Sequence, residues 1–284
     1  MQLLPYSFEE LRFAWCNRIL MRCRTHRIKP IEALSELTSK ILGELLEPYG
    51  INVLELATTS TEFQAMLSLT PTESASTAAS KSKGRISKWL TDHQSKSNSD
   101  TKLARGYFAL TLGEPDSKSV NDYLEKQSEH HGYDQRVRPP IFMQSFHYDN
   151  EKRKELATDH ASTLLRYHVV LATWHRHGIF IDETARCITE RWLELQDGFL
   201  IDKVSFVPDH VHISLTLHPT QSPINVVAAL MNTSQDLMWD RFPNVVIKAS
   251  VERLWQPSAY IGSYGALSSK AIKAYMHRWA SRVE

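Results

Sequence analysis

The sequence predicts an α+β protein built from two ferredoxin-like (split βαβ) units in tandem. Two observations support this fold class. The second half of the chain follows the element order β-α-β-β-α-β-α, and the first half repeats that order with matching landmarks. Each unit is therefore expected to form an antiparallel sheet with helices on one face, followed by a C-terminal helix.

The second half has the clearer pattern. β-branched and apolar residues at 166–173 indicate a strand, and residues 182–196 place apolar side chains at helical spacing behind Asp182. The remaining predicted elements are strands at 199–207 and 210–217, a helix at 222–242, a short strand at 258–265 and a terminal helix. This half alone accounts for one complete split βαβ unit with one extra helix.

The first half shows the same order. Its predicted strands are 12–21, 51–57, 63–69 and 106–113, and its predicted helices are 30–48, 74–90 and 116–130. The segment LSLTPT at 67–72 matches LTLHPT at 215–220. Without any gap, Gly113, Ser117, Lys118, Val120 and Tyr123 match Gly265, Ser269, Lys270, Ile272 and Tyr275. These matches predict an internal repeat.

A proline-containing and charged zone separates the two halves. It runs from about Gly132 to Asp159 and includes Arg138-Pro139-Pro140, a composition typical of a linker. We therefore expect a first domain at 1–132, a linker at 133–160 and a second domain at 161–284.

Composition excludes several classes of protein. The formal net charge is +1, so only local patches could attract nucleic acid; the densest runs from Arg18 to Lys29 and is equally compatible with a solvated basic edge. Three cysteines without a C-x-x-C pair argue against a disulfide framework or a thiolate zinc site. No secretory signal pattern and no long apolar run are present, so we expect a cytoplasmic protein that does not enter a membrane.

The run HVHISLTL at 210–217 contains the strongest candidates for catalytic or metal-binding residues. Strand alternation places His210, His212, Ser214 and Thr216 on one face, while apolar residues occupy the other. We expect helices to cover the apolar face and both imidazoles to project from the open face. Two neutral imidazoles so placed suit one metal ion, although a chance pair on a polar strand face is the simpler alternative.

The run FVPDHVHISL at 206–215 resembles the histidine-hydrophobic-histidine motif of single-tyrosine HUH transposases, including the REP-associated tyrosine transposases. The resemblance spans nearly all of 164–284 and includes the opening YHVVLATWH, Leu254-Trp255, the turn at Gly265 and the terminal tyrosine helix. The first half resembles the family more weakly, and its segment VNDYLEKQSEHH is similar to the family's Tyr-x-x-x-Gln helix.

The resemblance implies two HUH domains and a specific chemistry. A tyrosine on the last helix of a domain attacks a phosphate in single-stranded DNA that carries hairpins at the element ends, leaving a 5′-phosphotyrosine. The resemblance also implies a divalent metal, Mg²⁺ or Mn²⁺, held by the two histidines and by a glutamine one turn after the tyrosine. Accessory transposition proteins are further expected partners.

Each half departs from the family pattern, and the departures are complementary. Tyr275 is followed at the glutamine position by Trp279, whereas Tyr123 is followed by Gln127. In the first half, the alignment places Glu62 and Gln64 where the second half has its histidine pair.

Because each half lacks residues that the other retains, we predict one composite site that takes residues from both halves. The chain would then act as a monomer whose two halves correspond to the subunits of a dimer, that is, as a pseudo-dimer. Tyr123, His210 and His212 would be catalytic, and His210, His212 and Gln127 would bind the metal. Tyr275 as the nucleophile of its own domain is one alternative. Others are a domesticated, catalytically silent binder of hairpin single-stranded DNA, another HUH nicking enzyme such as a relaxase or replication initiator, and a ferredoxin-like RNA-binding module.

Overall fold

The computed structural model describes residues 5–93, 102–113, 140–248, 253–265 and residue 276. Within these residues the strands are β1 (Arg12–Cys16), β2 (Arg18–Arg24), β3 (Asn52–Thr58), β4 (Glu62–Ser68), β5 (Tyr107–Leu112), β6 (Phe142–Ser145), β7 (Ala161–Thr173), β8 (Phe199–Val207), β9 (His210–Leu217) and β10 (Trp255–Tyr264). The helices are α1 (Glu32–Ser35), α2 (Ser39–Leu46), α3 (Ala75–His93), α4 (Asn150–Lys154), α5 (Asp182–Glu194), α6 (Pro223–Arg241) and α7 (Pro243–Lys248).

All ten described strands join one sheet, so the protein has the predicted α+β class. The main path runs β3-β4-β2-β5-β7-β9-β8-β6, and β10 pairs with both β7 and β1. Pairing within each half is antiparallel, whereas the two junctions between halves, β5 with β7 and β1 with β10, are parallel. The halves are thus hydrogen-bonded through their backbones.

The backbone confirms the internal repeat in detail. β2 lies between β4 and β5 just as β7 lies between β9 and β10. A register shift falls between Val53 and Glu55 in the first half and between Ile201 and Lys203 in the second. The turns after β2 and β7 contain left-handed residues at matching positions, namely Arg27, Ile28, His175 and Arg176. Such conformations are uncommon in non-glycine residues, so their repetition is strong support for duplication.

The hydrogen bonds at the two junctions between the halves are also repeated. The hydroxyl of Thr111 accepts a hydrogen bond from the Arg166 amide at 2.8 Å and donates to the Tyr264 carbonyl at 2.6 Å. The matching hydroxyl of Ser263 accepts from the Arg18 amide at 2.8 Å and lies within hydrogen-bond distance of the Leu112 carbonyl. Two equivalent hydroxyls therefore connect the halves around a pseudo-twofold axis.

The main hydrophobic core lies between the sheet and the helices. Strand alternation sends Ile19 and Met21 of β2, and Phe63 and Ala65 of β4, into this core. The opposite face of the first-half sheet has a smaller cluster, formed by Leu20, Ala57, Met66, Leu112 and Met276. Among the described residues, no helix is long and apolar enough to cross a membrane.

Two predicted elements of the first half are interrupted. The strand expected at 12–21 breaks at the buried Asn17, whose side chain donates to the Thr70 carbonyl and accepts from the Tyr167 hydroxyl. The helix expected at 30–48 is divided into α1 and α2, because Thr38 adopts an extended conformation and caps α2 by accepting from the Ile41 amide.

The second half contains longer strands than predicted and two elements that were not predicted. β7 starts at Ala161 rather than at residue 166, and β10 starts at Trp255 rather than at residue 258. The predicted linker also contains β6, which pairs with β8, and the short helix α4. Part of the 133–160 segment therefore extends the second-half sheet.

Candidate functional site

His210 and His212 lie on β9, which is hydrogen-bonded to β7 on one side and to β8 on the other. Their rings project from the same face of the sheet, with ring centroids 5.0 Å apart and planes inclined at 62°. The alternation predicted from the sequence therefore brings the two imidazoles together.

The expectation that this face is open to solvent is wrong. His210 is 1% exposed and His212 is 3% exposed, and every residue of β9 is buried. The four polar side chains of the strand have close partners: His210 contacts Asp209, His212 contacts His168, Ser214 contacts Tyr264 and Thr216 contacts Asp202. Burial of polar groups is tolerated here because they are hydrogen-bonded.

Asp209 and Arg176 orient the first histidine. Asp209 accepts a hydrogen bond from His210 Nδ1 at 2.7 Å, and its other carboxylate oxygen lies 2.8 Å from Arg176 Nε. The backbone carbonyl of Asp209 is held by the amide and hydroxyl of Thr173, each at 2.9 Å. Arg176 is one of the left-handed residues after β7, so this strained turn brings its guanidinium to the site.

His168 on β7 orients the second histidine. Its Nε2 lies 3.0 Å from His212 Nδ1, and the two rings stack with centroids 5.2 Å apart. Burial lowers the pKa of His168 to about 4, so this imidazole is neutral near pH 7. A neutral His168 can accept the hydrogen of His212 Nδ1, which directs His212 Nε2 toward any ligand.

The donor set fits a divalent cation. With Nδ1 of each histidine in a hydrogen bond, Nε2 of His210 and of His212 are the atoms that would coordinate metal. A carboxylate on the far nitrogen of a coordinating histidine, as Asp209 is, is a common feature of metal sites. Among the described residues, no group of three His, Cys, Asp or Glu side chains could hold a metal.

Glu62 and Gln64 occupy the positions of the histidine pair in the first half. On β4 they pair across from Arg24 and Arg22 of β2, just as His210 and His212 pair across from Ala172 and Val170 of β7. The predicted equivalence of these positions is therefore confirmed by strand register.

In the first-half site, two arginines contact the carboxylate of Glu62. Arg22 binds both carboxylate oxygens of Glu62, at 2.8 and 2.6 Å from Nη2, and Arg24 Nε lies 3.1 Å from the same group. A carboxylate engaged by two guanidinium groups is a poor metal ligand, because it must lose these contacts before it can coordinate.

The predicted tyrosines and their neighbours, Tyr123, Gln127, Tyr275 and Trp279, lie outside the described residues. One residue beside them is described. Met276, immediately after Tyr275 in the sequence, is 1% exposed and packs on Leu20, Met66 and Leu112 of the first-half sheet. These residues share a sheet face with Glu62 and Gln64, so the second half extends across the site of the first half at this point.

Three further residues of the site were not predicted as such: His168, Asp209 and Arg176. Asp209 could have been found from its place immediately before the first histidine. The predicted split βαβ order already places β7 beside β9, but the register that brings His168 next to His212 is not specified by the sequence pattern.

The sequence of the chain matches one protein family. The family described as "Transposase IS200 like" matches the chain twice, at residues 16–127 and 161–278. The ISDra2 transposase TnpA of Deinococcus radiodurans is 28% identical over 114 residues, which cover 39% of this chain and 81% of that protein. A crystal structure from Deinococcus radiodurans R1, described as a transposase, is 24% identical and has a TM-score of 0.36, covering 45% of this chain and 97% of the other. Since the family model matches most of the chain, once in each half, the chain belongs to the IS200-like transposases.

Proposed function

We propose that the protein nicks and rejoins single-stranded DNA through a 5′-phosphotyrosine at one composite active site. His210, His212 and Gln127 would hold Mg²⁺ or Mn²⁺, and Tyr123 would be the nucleophile. Membership of the transposase family supports DNA as the substrate. The paired imidazoles with their hydrogen-bonded partners support metal binding.

The packing of Met276 is the observation that carries the composite arrangement. This residue follows Tyr275 and contacts the sheet of the opposite half, on the face of Glu62 and Gln64. The strand pairing obeys a pseudo-twofold relation. The same relation applied to the first half would put the segment with Tyr123 on the face of His210 and His212.

The proposed chemistry conserves atoms and charge. The Tyr123 oxygen would attack phosphorus and lose its proton while the bond from phosphorus to the 3′ oxygen breaks, and that oxygen gains a proton. Rejoining reverses these changes, so no nucleotide cofactor is consumed. The bound cation would offset charge developing on the phosphate oxygens. Asp209, Arg176 and His168 would keep both imidazoles oriented for that ion.

A covalent-adduct assay tests this proposal. The protein is incubated with Mn²⁺ and a pool of 3′-labelled single-stranded hairpin oligonucleotides with randomised flanks, and adducts are resolved on a denaturing gel. The wild type and Tyr275→Phe should form the adduct, whereas Tyr123→Phe and His210→Ala should not. Arg186→Gln, which changes an exposed arginine on α5, serves as the control.

The outcomes separate the alternatives. If Tyr275→Phe abolishes the adduct and Tyr123→Phe retains it, the enzyme is active but the composite site is wrong. If the wild type binds DNA without forming any adduct, the silent-binder alternative replaces the enzymatic one.

A further inference from the structure

The first half contains a cavity of about 430 Å³ where the second half has its histidine site. Among the described residues, its walls include Leu20, Arg22 and Arg24 of β2, Gln64 of β4, and Phe108 of β5. Gln64 corresponds to His212 by strand register. We call this cavity the first-half pocket.

Among the described residues, the first-half pocket carries an excess of positive charge. Two guanidinium groups, those of Arg22 and Arg24, face the single carboxylate of Glu62. Arg24 contacts Glu62 through Nε, and its side chain is 52% exposed, so its terminal nitrogens can reach a ligand. A guanidinium placed in this way favours a phosphate or another planar or tetrahedral anion.

Gln64 supplies a buried hydrogen-bond donor. The residue is 2% exposed, and among the described residues its Nε2 has no hydrogen-bond partner. Burying a donor without a partner is unfavourable, so the fold accepts a penalty at this position. A ligand with a hydrogen-bond acceptor would remove that penalty.

The remaining walls are apolar and aromatic. Phe108 and Leu20 project from the same sheet face as Gln64 and line the cavity. Phe108 is only partly buried, so a flat ligand could stack on its ring. The pocket thus combines an anion site, a hydrogen-bond donor and an aromatic wall, which together match a nucleotide.

We propose that the first-half pocket binds one nucleotide of single-stranded DNA without cleaving it. Arg24 and Arg22 would contact the phosphate, Phe108 would stack on the base, and the Gln64 amide would donate to an acceptor on the base edge. Among the described residues that line the pocket there is no imidazole to hold metal, and we therefore expect the site to hold DNA without cleaving it. The inference rests on the proposed function in that the same DNA strand would occupy both sites.

Binding and crosslinking test the pocket separately from catalysis. Fluorescence anisotropy with a labelled single strand of about 30 nucleotides should show about tenfold weaker binding for Arg24→Gln and Gln64→Leu, the size expected for one lost base or phosphate contact. Arg186→Gln should bind like the wild type. Thermal unfolding identifies variants that fail to fold, and Arg24→Lys, which keeps the charge, should recover part of the affinity.

Crosslinking with a photoreactive DNA oligonucleotide tests whether DNA lies in the first-half pocket itself. With 5-iododeoxyuridine in the oligonucleotide, irradiation should crosslink DNA to the tryptic peptide 106–118, which contains Tyr107 and Phe108. If the wild type forms the phosphotyrosine adduct but both variants bind normally and peptide 106–118 stays free, the pocket proposal is wrong while the proposed function stands. Crosslinking at this peptide without any adduct supports the pocket and rejects the enzymatic function. Absence of DNA binding by the wild type rejects both.

Discussion

At the scale of single residues, the candidate site depends on side chains that never touch the proposed metal. Arg176 holds Asp209, and Asp209 holds His210, so the first imidazole is fixed by a two-step chain of charged hydrogen bonds. His168 plays the corresponding part for His212 and is kept neutral by burial. The orientation of each ring is therefore set before any ligand arrives.

The substitution Asp209→Asn tests this positioning role. It removes the charge that orients His210, so the Mn²⁺ concentration that half-saturates adduct formation should rise about 10- to 100-fold, with activity recovered at high Mn²⁺. Asp182→Asn, an exposed carboxylate on α5, is the matched control. An unchanged Mn²⁺ dependence in Asp209→Asn would contradict the role.

The three cysteines should differ in reactivity. All are free, as the sequence predicts, but Cys23 is 1% exposed and burial raises its pKa to about 12. Its thiolate fraction at pH 8 is correspondingly small, whereas Cys16 and Cys187 are partly exposed. Native alkylation with iodoacetamide followed by peptide mass spectrometry should modify Cys16 and Cys187 and spare Cys23. Rapid labelling of Cys23 would show that its surroundings open readily.

At the scale of elements, the sequence predicted type and order well because its apolar residues follow strand or helix periods. Two elements of the first half are interrupted, each at one side chain. Asn17 breaks the first strand by hydrogen bonding sideways, and Thr38 begins a new helix inside the predicted one. The pairing of β5 with β7 could not be predicted, since it joins the two units across the segment expected to be a linker.

The junction hydroxyls should contribute measurably to stability. Thr111→Val keeps the shape of the side chain but leaves the Arg166 amide and the Tyr264 carbonyl without their partner, so the free energy of unfolding should fall by about 1–3 kcal/mol. Urea unfolding measures this loss. Thr111→Ser retains the hydroxyl and should lose clearly less; equal losses in both variants would assign the effect to packing instead.

A side chain at position 265 should lower the stability of the protein. A Cβ at this position would collide with the Thr111 carbonyl oxygen across the junction. Gly265→Ala should therefore lower the free energy of unfolding by about 1–3 kcal/mol, as expected for overpacking. Gly84→Ala is the control, because nothing lies within 4 Å of its Cβ and alanine favours helix α3. A Gly265→Ala protein as stable as the wild type would show that the junction can relax.

At the scale of the whole molecule, duplication makes two sites and lets them diverge. The sheet face of the second half carries His210 and His212. The equivalent face of the first half has Glu62 and Gln64 at these positions, together with two arginines. The sequence repeat predicted this difference, because it aligns the two pairs directly. The repeat alone could not predict that the halves share one sheet, since two domains joined by a linker would show the same pattern.

The continuous sheet predicts that the halves unfold together. Parallel pairing of β5 with β7 and of β1 with β10 ties each half to the backbone of the other. Opening one half exposes unpaired strand edges in the other, so separate unfolding costs more than unfolding both at once. Hydrogen exchange followed by mass spectrometry across a urea series should show β4 and β9 losing protection at the same denaturant concentration. Thr111→Val should shift both midpoints equally; two separated transitions would mean that each half is stable alone and that the shared strands contribute little.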